Sequence, residues 1–98
     1  SGGIVIENEV LFAPYVAVST GNHTKINDSF RFGPSIEKKI IIKKGSWIGA
    51  HVSLLVGSEV GAGVVIGANS VLNILTEDNA LYAGVPAKFI KKFENERK

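Results

Sequence analysis

The 98-residue sequence has no cysteine and no methionine, and holds one tryptophan and three prolines. Without cysteine there can be no disulfide framework, thiolate zinc site or cysteine nucleophile, which fits a reducing compartment. An excess of charge is also missing: eleven Lys and Arg stand against nine Asp and Glu, a net charge of +2, and five of the basic residues fall in the last eleven positions. A nucleic-acid groove would need a broader basic footprint. No apolar run approaches the ~18 residues of a membrane span, and no signal-peptide n-region precedes one, so the chain reads as soluble. At this length, with 45% hydrophobic residues, there is room for one core. The pattern begins directly at Ile4, so residue 1 is expected to be an artificial boundary rather than a trimmed terminus.

Helix signals are scarce in the middle of the chain. Gly45 to Thr76 carries one carboxylate, Glu59, and six glycines, a composition that suits short strands broken by turns. Stepping by six from Ile42 lands on Ile48, Leu54, Val60, Ile66 and Leu72, and the same phase run backwards finds Val18, Phe12 and Ile6. All nine are large and apolar. Four residues after the large ones stand Val10, Val16, Ser46, Val52, Ser58, Val64, Ser70 and Thr76, all small or β-branched, and one residue after them come Ala13, Gly49, Gly61 and Gly67. Two inward residues two apart, then a tight corner, describe one face of a prism-shaped coil. Three hexapeptides close a turn, and the apolar column is buried only by stacking coils, so the ends need caps and the flanks invite oligomerisation.

Between Val18 and Ile42 lie twenty-four positions, a multiple of six, yet residues 19–39 hold Gly-Asn-His, Asn-Asp-Ser and Gly-Pro instead of the pattern. That segment reads as a loop thrown out of the coil, and long loops on rigid scaffolds often carry function. From Glu77 the repeat dissolves, and Lys88 to Lys98 places Phe89, Ile90 and Phe93 on one side of an expected short helix that caps the last coil. The expected organisation is an all-β hexapeptide-repeat coil over residues 1–76 with loop 19–39, followed by a C-terminal extension and capping helix over 77–98.

Thr20-Gly21-Asn22-His23, Ser46-Trp47-Ile48-Gly49-Ala50, Val65-Ile66-Gly67-Ala68-Asn69-Ser70-Val71 and Ala83-Gly84-Val85-Pro86-Ala87-Lys88 together resemble the hexapeptide-repeat acyltransferases, and within them the sugar O-acetyltransferases of the maltose, galactoside and polysaccharide-modifying type. The resemblance covers nearly the whole chain. It implies a left-handed parallel β-helix, a homotrimer with acetyl-CoA lying between neighbouring subunits, transfer of acetyl to a saccharide hydroxyl, no metal, and a cytoplasmic location. It also implies further coils or helices before residue 1 that help hold the acceptor.

By position, His23 matches the family's catalytic histidine. An alcohol is a poor nucleophile at neutral pH, so a base must take its proton as it attacks, and imidazole suits that task. Without the resemblance, a lone His in an Asn- and Gly-containing loop reads as a solvated residue. Asn22 could orient His23 or bind an acceptor, and is equally a turn former. Trp47 matches a family tryptophan beside the active site, where it is expected to bind substrate by flanking the acceptor or the pantetheine arm, against the alternative of intersubunit packing. Ala50 and Ala68 match positions that contact the pantetheine arm, with a backbone N–H near Ala50 as the expected oxyanion donor. Lys88 and Lys91 match basic positions near the CoA phosphates, against the alternative of a solvated helix face. His51 matches no family role.

The chain departs from the family where Asn73-Ile74 replaces a polar-basic pair, so one usual phosphate contact is missing. Val56 stands where many relatives have proline, and Glu7 replaces a common turn glycine. Competing functions are N-acetylation of an amino sugar or antibiotic and a non-catalytic trimeric scaffold. A β-helical carbonic anhydrase would need three histidines around zinc, and the chain has His23 and His51 alone.

Overall fold

The computed structural model describes residues 3–24, 26–29, 31, 33 and 35–94, with the His23 side chain outside that description. Its strands are two to six residues long and follow the six-residue step. The first coil is β1 (Ile4–Ile6), β2 (Leu11–Phe12) and β3 (Ala17–Val18). An arm, β4 (Gly21–His23) and β5 (Ser35–Glu37), follows. The second coil is β6 (Ile40–Ile42), β7 (Trp47–Ile48) and β8 (Ser53–Leu54). The third is β9 (Glu59–Val60), β10 (Val65–Ile66) and β11 (Val71–Leu72), and β12 (Ala80–Gly84) and β13 (Ala87–Lys92) finish the chain.

The coils stack in parallel register to make three faces: β1-β6-β9, β2-β7-β10-β12-β13 and β3-β8-β11. We call these the first, second and third face. Ile42 lies against Val60, Ile48 against Ile66 and Leu54 against Leu72, each pair 18 residues apart. These residues, with Ile40, Val52 and Val64, are wholly buried. Burial of each such side chain is worth about 1.5–3 kcal/mol, which makes this column the main source of stability. Ile6 and Phe12 occupy the same positions in the first coil but are 51% and 37% exposed, because only one coil packs against them.

Three buried serines stand in the inward column, and each is spent on backbone groups that the corners leave over. Ser46 Oγ donates to Gly61 O (2.6 Å) and accepts from Val64 N (3.2 Å). Ser58 Oγ shares its proton between Leu55 O (2.7 Å) and Leu72 O (2.9 Å), and Ser70 Oγ accepts from Gly84 N (3.0 Å). A buried hydroxyl with such partners costs little, whereas an unpartnered one would be expensive.

The corners are built from left-handed residues. Between the first and second faces the position is held by Glu9, Gly45, Gly63 and Asn79 (φ 64°, 75°, 64° and 53°). Between the second and third it is held by Tyr15, His51 and Asn69 (φ 63°, 58° and 64°). Gly49 serves differently. A Cβ there would meet Ile66 O at 2.8 Å and Ala68 N at 2.9 Å, so close stacking of one corner on the next, not its φ, excludes a side chain.

Two expectations are corrected. The segment after Glu77 does not leave the coil: Leu81 and Tyr82 lie in register with Val65 and Ile66, and Ala80 and Tyr82 point inward and are buried. The repeat was hidden because this coil is short, 16 residues from Ile66 to Tyr82 where earlier coils use 18. The expected capping helix is absent: no helix occurs among the described residues, and Ala87–Lys92 is the strand β13, antiparallel to β12. The physical reason is the open edge of β12. Pairing with it satisfies a row of backbone groups, which an isolated eleven-residue helix could not do and would itself be marginal. Phe89, expected on the helix face, instead meets the Tyr82 ring edge-on at 5.8 Å. Residues 95–98 of the expected helix lie outside the described residues.

Candidate active site

The expected loop is a β-arm. Gly21, Asn22 and His23 pair antiparallel with Glu37, Ile36 and Ser35. Ile26 and Ser29 exchange backbone hydrogen bonds of 2.8 and 2.9 Å around Asn27 and Asp28, both at positive φ (49° and 59°), which is the geometry of a type I′ turn. At the root, Lys38 N donates to Thr20 O (2.9 Å) and Ser19 Oγ to Gly21 O (3.1 Å). The backbone of His23 is thus held in a strand opposite Ser35, and its side chain lies outside the described residues. Asn22 stands beside it on the same strand.

The arm occupies the corner between the third and first faces, while the other expected residues gather on the second face and its far corner. Trp47 stands on the outer side of β7, half exposed, in register with Leu11 on one side and Val65 on the other. The row continues through Leu81 to Lys91. Strands lie about 4.8 Å apart, so three steps separate the Trp47 and Lys91 backbones by about 14 Å.

Lys88 and Lys91 are three residues apart and would point to opposite sides of a regular strand. A register shift opposite Leu81 and Tyr82 changes this: Lys88 pairs with Ala83 and Lys91 with Leu81, two residues that share the outer side. The extra residue of the bulge therefore turns both ammonium groups to one side of the sheet. Both lysines are exposed, and Lys91 Nζ sits 5.8 Å from the Phe93 ring centroid. An open depression of about 520 Å³ beyond them is lined by Lys91, Lys92, Phe93 and Glu94.

Ala50 and Ala68 occupy equivalent places in successive corners, each directly before a left-handed residue, and Pro14 holds that place in the first coil. The ladder at these corners uses the flanking N–H groups: Gly49 donates to Ile66 O (2.9 Å), His51 to Pro14 O (3.1 Å) and Asn69 to Ala50 O (2.9 Å). Among the described residues the Ala50 N–H has no acceptor. Within this corner it is the position where proline fits without breaking the ladder, and where a coil lacking proline, at Ala50 as at Ala68, has a donor to spare.

The structure therefore brings Trp47, Ala50, Ala68, Lys88 and Lys91 to one side of the prism and sets Asn22 and His23 on another. Sequence reasoning gave Tyr15 and His51 no functional role. Their rings stack with centroids 5.1 Å apart and planes at 14°. The signal was available: each stands three residues after a large apolar residue of the repeat, Phe12 and Ile48.

No protein-family model matches the chain. It is 35% identical over 104 residues to WbbJ of Escherichia coli K12, named for lipopolysaccharide biosynthesis O-acetyl transfer, covering 97% of this chain and 53% of the relative. Among solved structures it superposes with TM-score 0.86 and 33% identity on a maltose O-acetyltransferase from Clostridium difficile 630, covering 94% of this chain and 49% of the other. With a galactoside acetyltransferase in complex with coenzyme A the TM-score is 0.83 at 32% identity, covering 91% and 44%. The chain thus spans about half the length of the proteins it matches, and its coil is that of the left-handed parallel β-helices.

Proposed function

From the premise that the chain belongs to the hexapeptide-repeat acyltransferase family, we propose that it transfers an acetyl group from acetyl-CoA to a saccharide hydroxyl. The observation that carries this reading is the line along the second face: two lysines turned to one side by a bulge, then the spare N–H of Ala50, with Trp47 beside it. In this reading Lys88 and Lys91 hold the phosphates, Ala68 and Ala50 line the pantetheine arm, and Trp47 flanks it. The galactoside acetyltransferase whose solved structure contains coenzyme A supports the choice of donor.

His23 takes the proton of the acceptor hydroxyl as its oxygen attacks the thioester carbonyl. The Ala50 N–H receives the developing oxyanion, and as the intermediate collapses the C–S bond breaks and His23 returns the proton to the departing thiolate. Asn22 orients His23. Within one chain the whole third face separates the arm from the Ala50 corner, so we infer that the site is completed between copies, in a homotrimer. We assign the reaction to the cytoplasm.

The test is His23→Ala, assayed by release of CoA thiol with a galactoside or maltose acceptor. Transfer is expected to fall by about 10²- to 10⁴-fold with an unchanged melting temperature. Near-normal turnover would defeat the assignment of the base.

A further inference from the structure

Charge is confined to one side of the prism. In residues 3–19 and 40–86, the coils without the arm and β13, every Asp, Glu, Lys and Arg falls in one of two places. Glu7, Glu9, Lys43, Lys44, Glu77 and Asp78 lie on the corner between the first and second faces, and Glu59 lies on the outer side of the first face. There they link successive coils, Lys44 to Glu9 at 3.7 Å and Lys43 to Glu59 at 3.6 Å. The second face, the third face and the corner joining them carry none of these charges. A surface left in water has no reason to shed charge. A surface covered by protein does, because an unpaired charge taken from water is costly.

The two uncharged faces differ in what covers them. Resting on the reading above, acetyl-CoA lies along the second face and its far corner. Nothing in that reading covers the third face, whose outward residues Ala17, Ser53 and Val71 lie in register on three coils. Ser53 has a coil on either side, so the lack of charge there is not an effect of the ends of the stack. The two halves of the proposed site stand at opposite edges of this face, the arm at the edge shared with the first face and Ala50 at the edge shared with the second. They also stand at one level. The arm leaves between the first and second coils and Ala50 belongs to the second, so the two differ by no more than about one rung of 4.8 Å. Copies related by rotation alone, with no shift along the prism, therefore bring the arm of one to the Ala50 corner of the next, and a contact of that kind closes into a ring. We propose that the third face is the surface by which copies of this chain meet: three prisms stand parallel around a common axis, third faces inward and the charged corner in water.

The experiment is sedimentation equilibrium of the chain, paired with melting at several protein concentrations. The parent is expected to sediment as three chains, with a melting temperature that rises with concentration. Ser53→Arg places a charge in the middle of the third face. It should sediment as one chain, keep the parent's far-ultraviolet circular dichroism, and melt at a temperature independent of concentration. Val71→Arg, one rung away on the same face, should do the same and guards against a loss of fold peculiar to Ser53. Ile41→Lys places a charge at the matching rung of the first face, opposite Glu59, and should remain three chains. A parent that sediments as one or two chains, third-face variants that fold and stay together as three, or an Ile41→Lys variant that dissociates would each overturn the assignment. Sedimentation needs no turnover. A parent of three chains that Ser53→Arg separates, yet that releases no CoA thiol with any acceptor, would refute the transfer reading and leave the interface standing. Parent-level thiol release by Ser53→Arg as a single chain would do the reverse.

Discussion

Two glycines on successive corners of the second coil separate close stacking from backbone conformation. Gly45 has φ 75° and open space within 4 Å of where a Cβ would stand, whereas a Cβ on Gly49 would meet Ile66 O at 2.8 Å, Ala68 N at 2.9 Å and Gly67 C at 3.1 Å. Alanine at Gly45 incurs a left-handed cost of about 1–2 kcal/mol, offset by about 0.4–1 kcal/mol from a less flexible unfolded chain. The net loss is about 0.5–1 kcal/mol. Alanine at Gly49 gains the same unfolded-state benefit but forces backbone of the third coil away, and the displaced atoms cannot rotate aside as a side chain would. Overpacking of this kind costs about 1–3 kcal/mol or more, so a net loss of about 2 kcal/mol is expected. For a chain of this size that lowers the melting temperature by about 10 °C. Gly45→Ala should lower it by only a few degrees. Urea unfolding at fixed protein concentration, with equal slopes for both variants, is the deciding measurement. If Gly49→Ala is no less stable than Gly45→Ala, the coils do not stack as closely as described.

Ala50→Pro tests the spare donor. Pro14 holds the same place one coil earlier, so the variant should keep the parent's melting temperature within a few degrees while transfer falls by about 10²- to 10³-fold. Unchanged turnover would remove the Ala50 N–H from the mechanism. Replacing Lys88 and Lys91 with glutamate should weaken CoA more than dephospho-CoA in calorimetric titrations, and equal losses would mean that the two lysines do not read the phosphate.

The three central coils were legible because each inward position recurs at a fixed step and the first large apolar residue fixes the phase of the rest. Ser46, Ser58 and Ser70 could be placed inside on that phase alone, although their buried partners, such as Gly61 O for Ser46, could not be named. The C-terminal strand was illegible for a different reason. Phe89, Ile90 and Phe93 fit a helical stripe, and nothing local says that β12 leaves an open edge beside them; tertiary pairing overrode a short-range period. Lys88 and Lys91 face one side for a cause other than the one expected. A helix would have put them on one side by its 3.6-residue turn, and a bulge does so instead. Tyr15 and His51 share one place in the hexapeptide, but that they lie on adjacent coils, 36 residues apart in sequence, depends on the intervening arm leaving the coil whole.

That arm shows how a functional segment can be added to a coil without disturbing it. Phe12 and Ile48 are register partners 36 residues apart, and Ile48 and Ile66 are partners 18 apart. The insertion therefore has the length of one whole coil, and Ile6, Phe12 and Val18 keep their inward phase across it. The later change of two residues has the opposite effect. Leu72 pairs with Leu54 at a separation of 18, whereas Leu75 bridges Glu59 at 16, so the shortening falls between Leu72 and Leu75. From there a strict six-residue step would put Asp78 inside opposite Val60, where the shortened coil puts Thr76, and the next inward residues are Ala80 and Tyr82. Asp78 is exposed instead, and its Oδ1 accepts from Ala62 N at 2.9 Å on the corner outside. A charge that could not be buried thus serves as a brace between the last two coils, which is why the phase shift and the loss of apolar pattern occur at the same place.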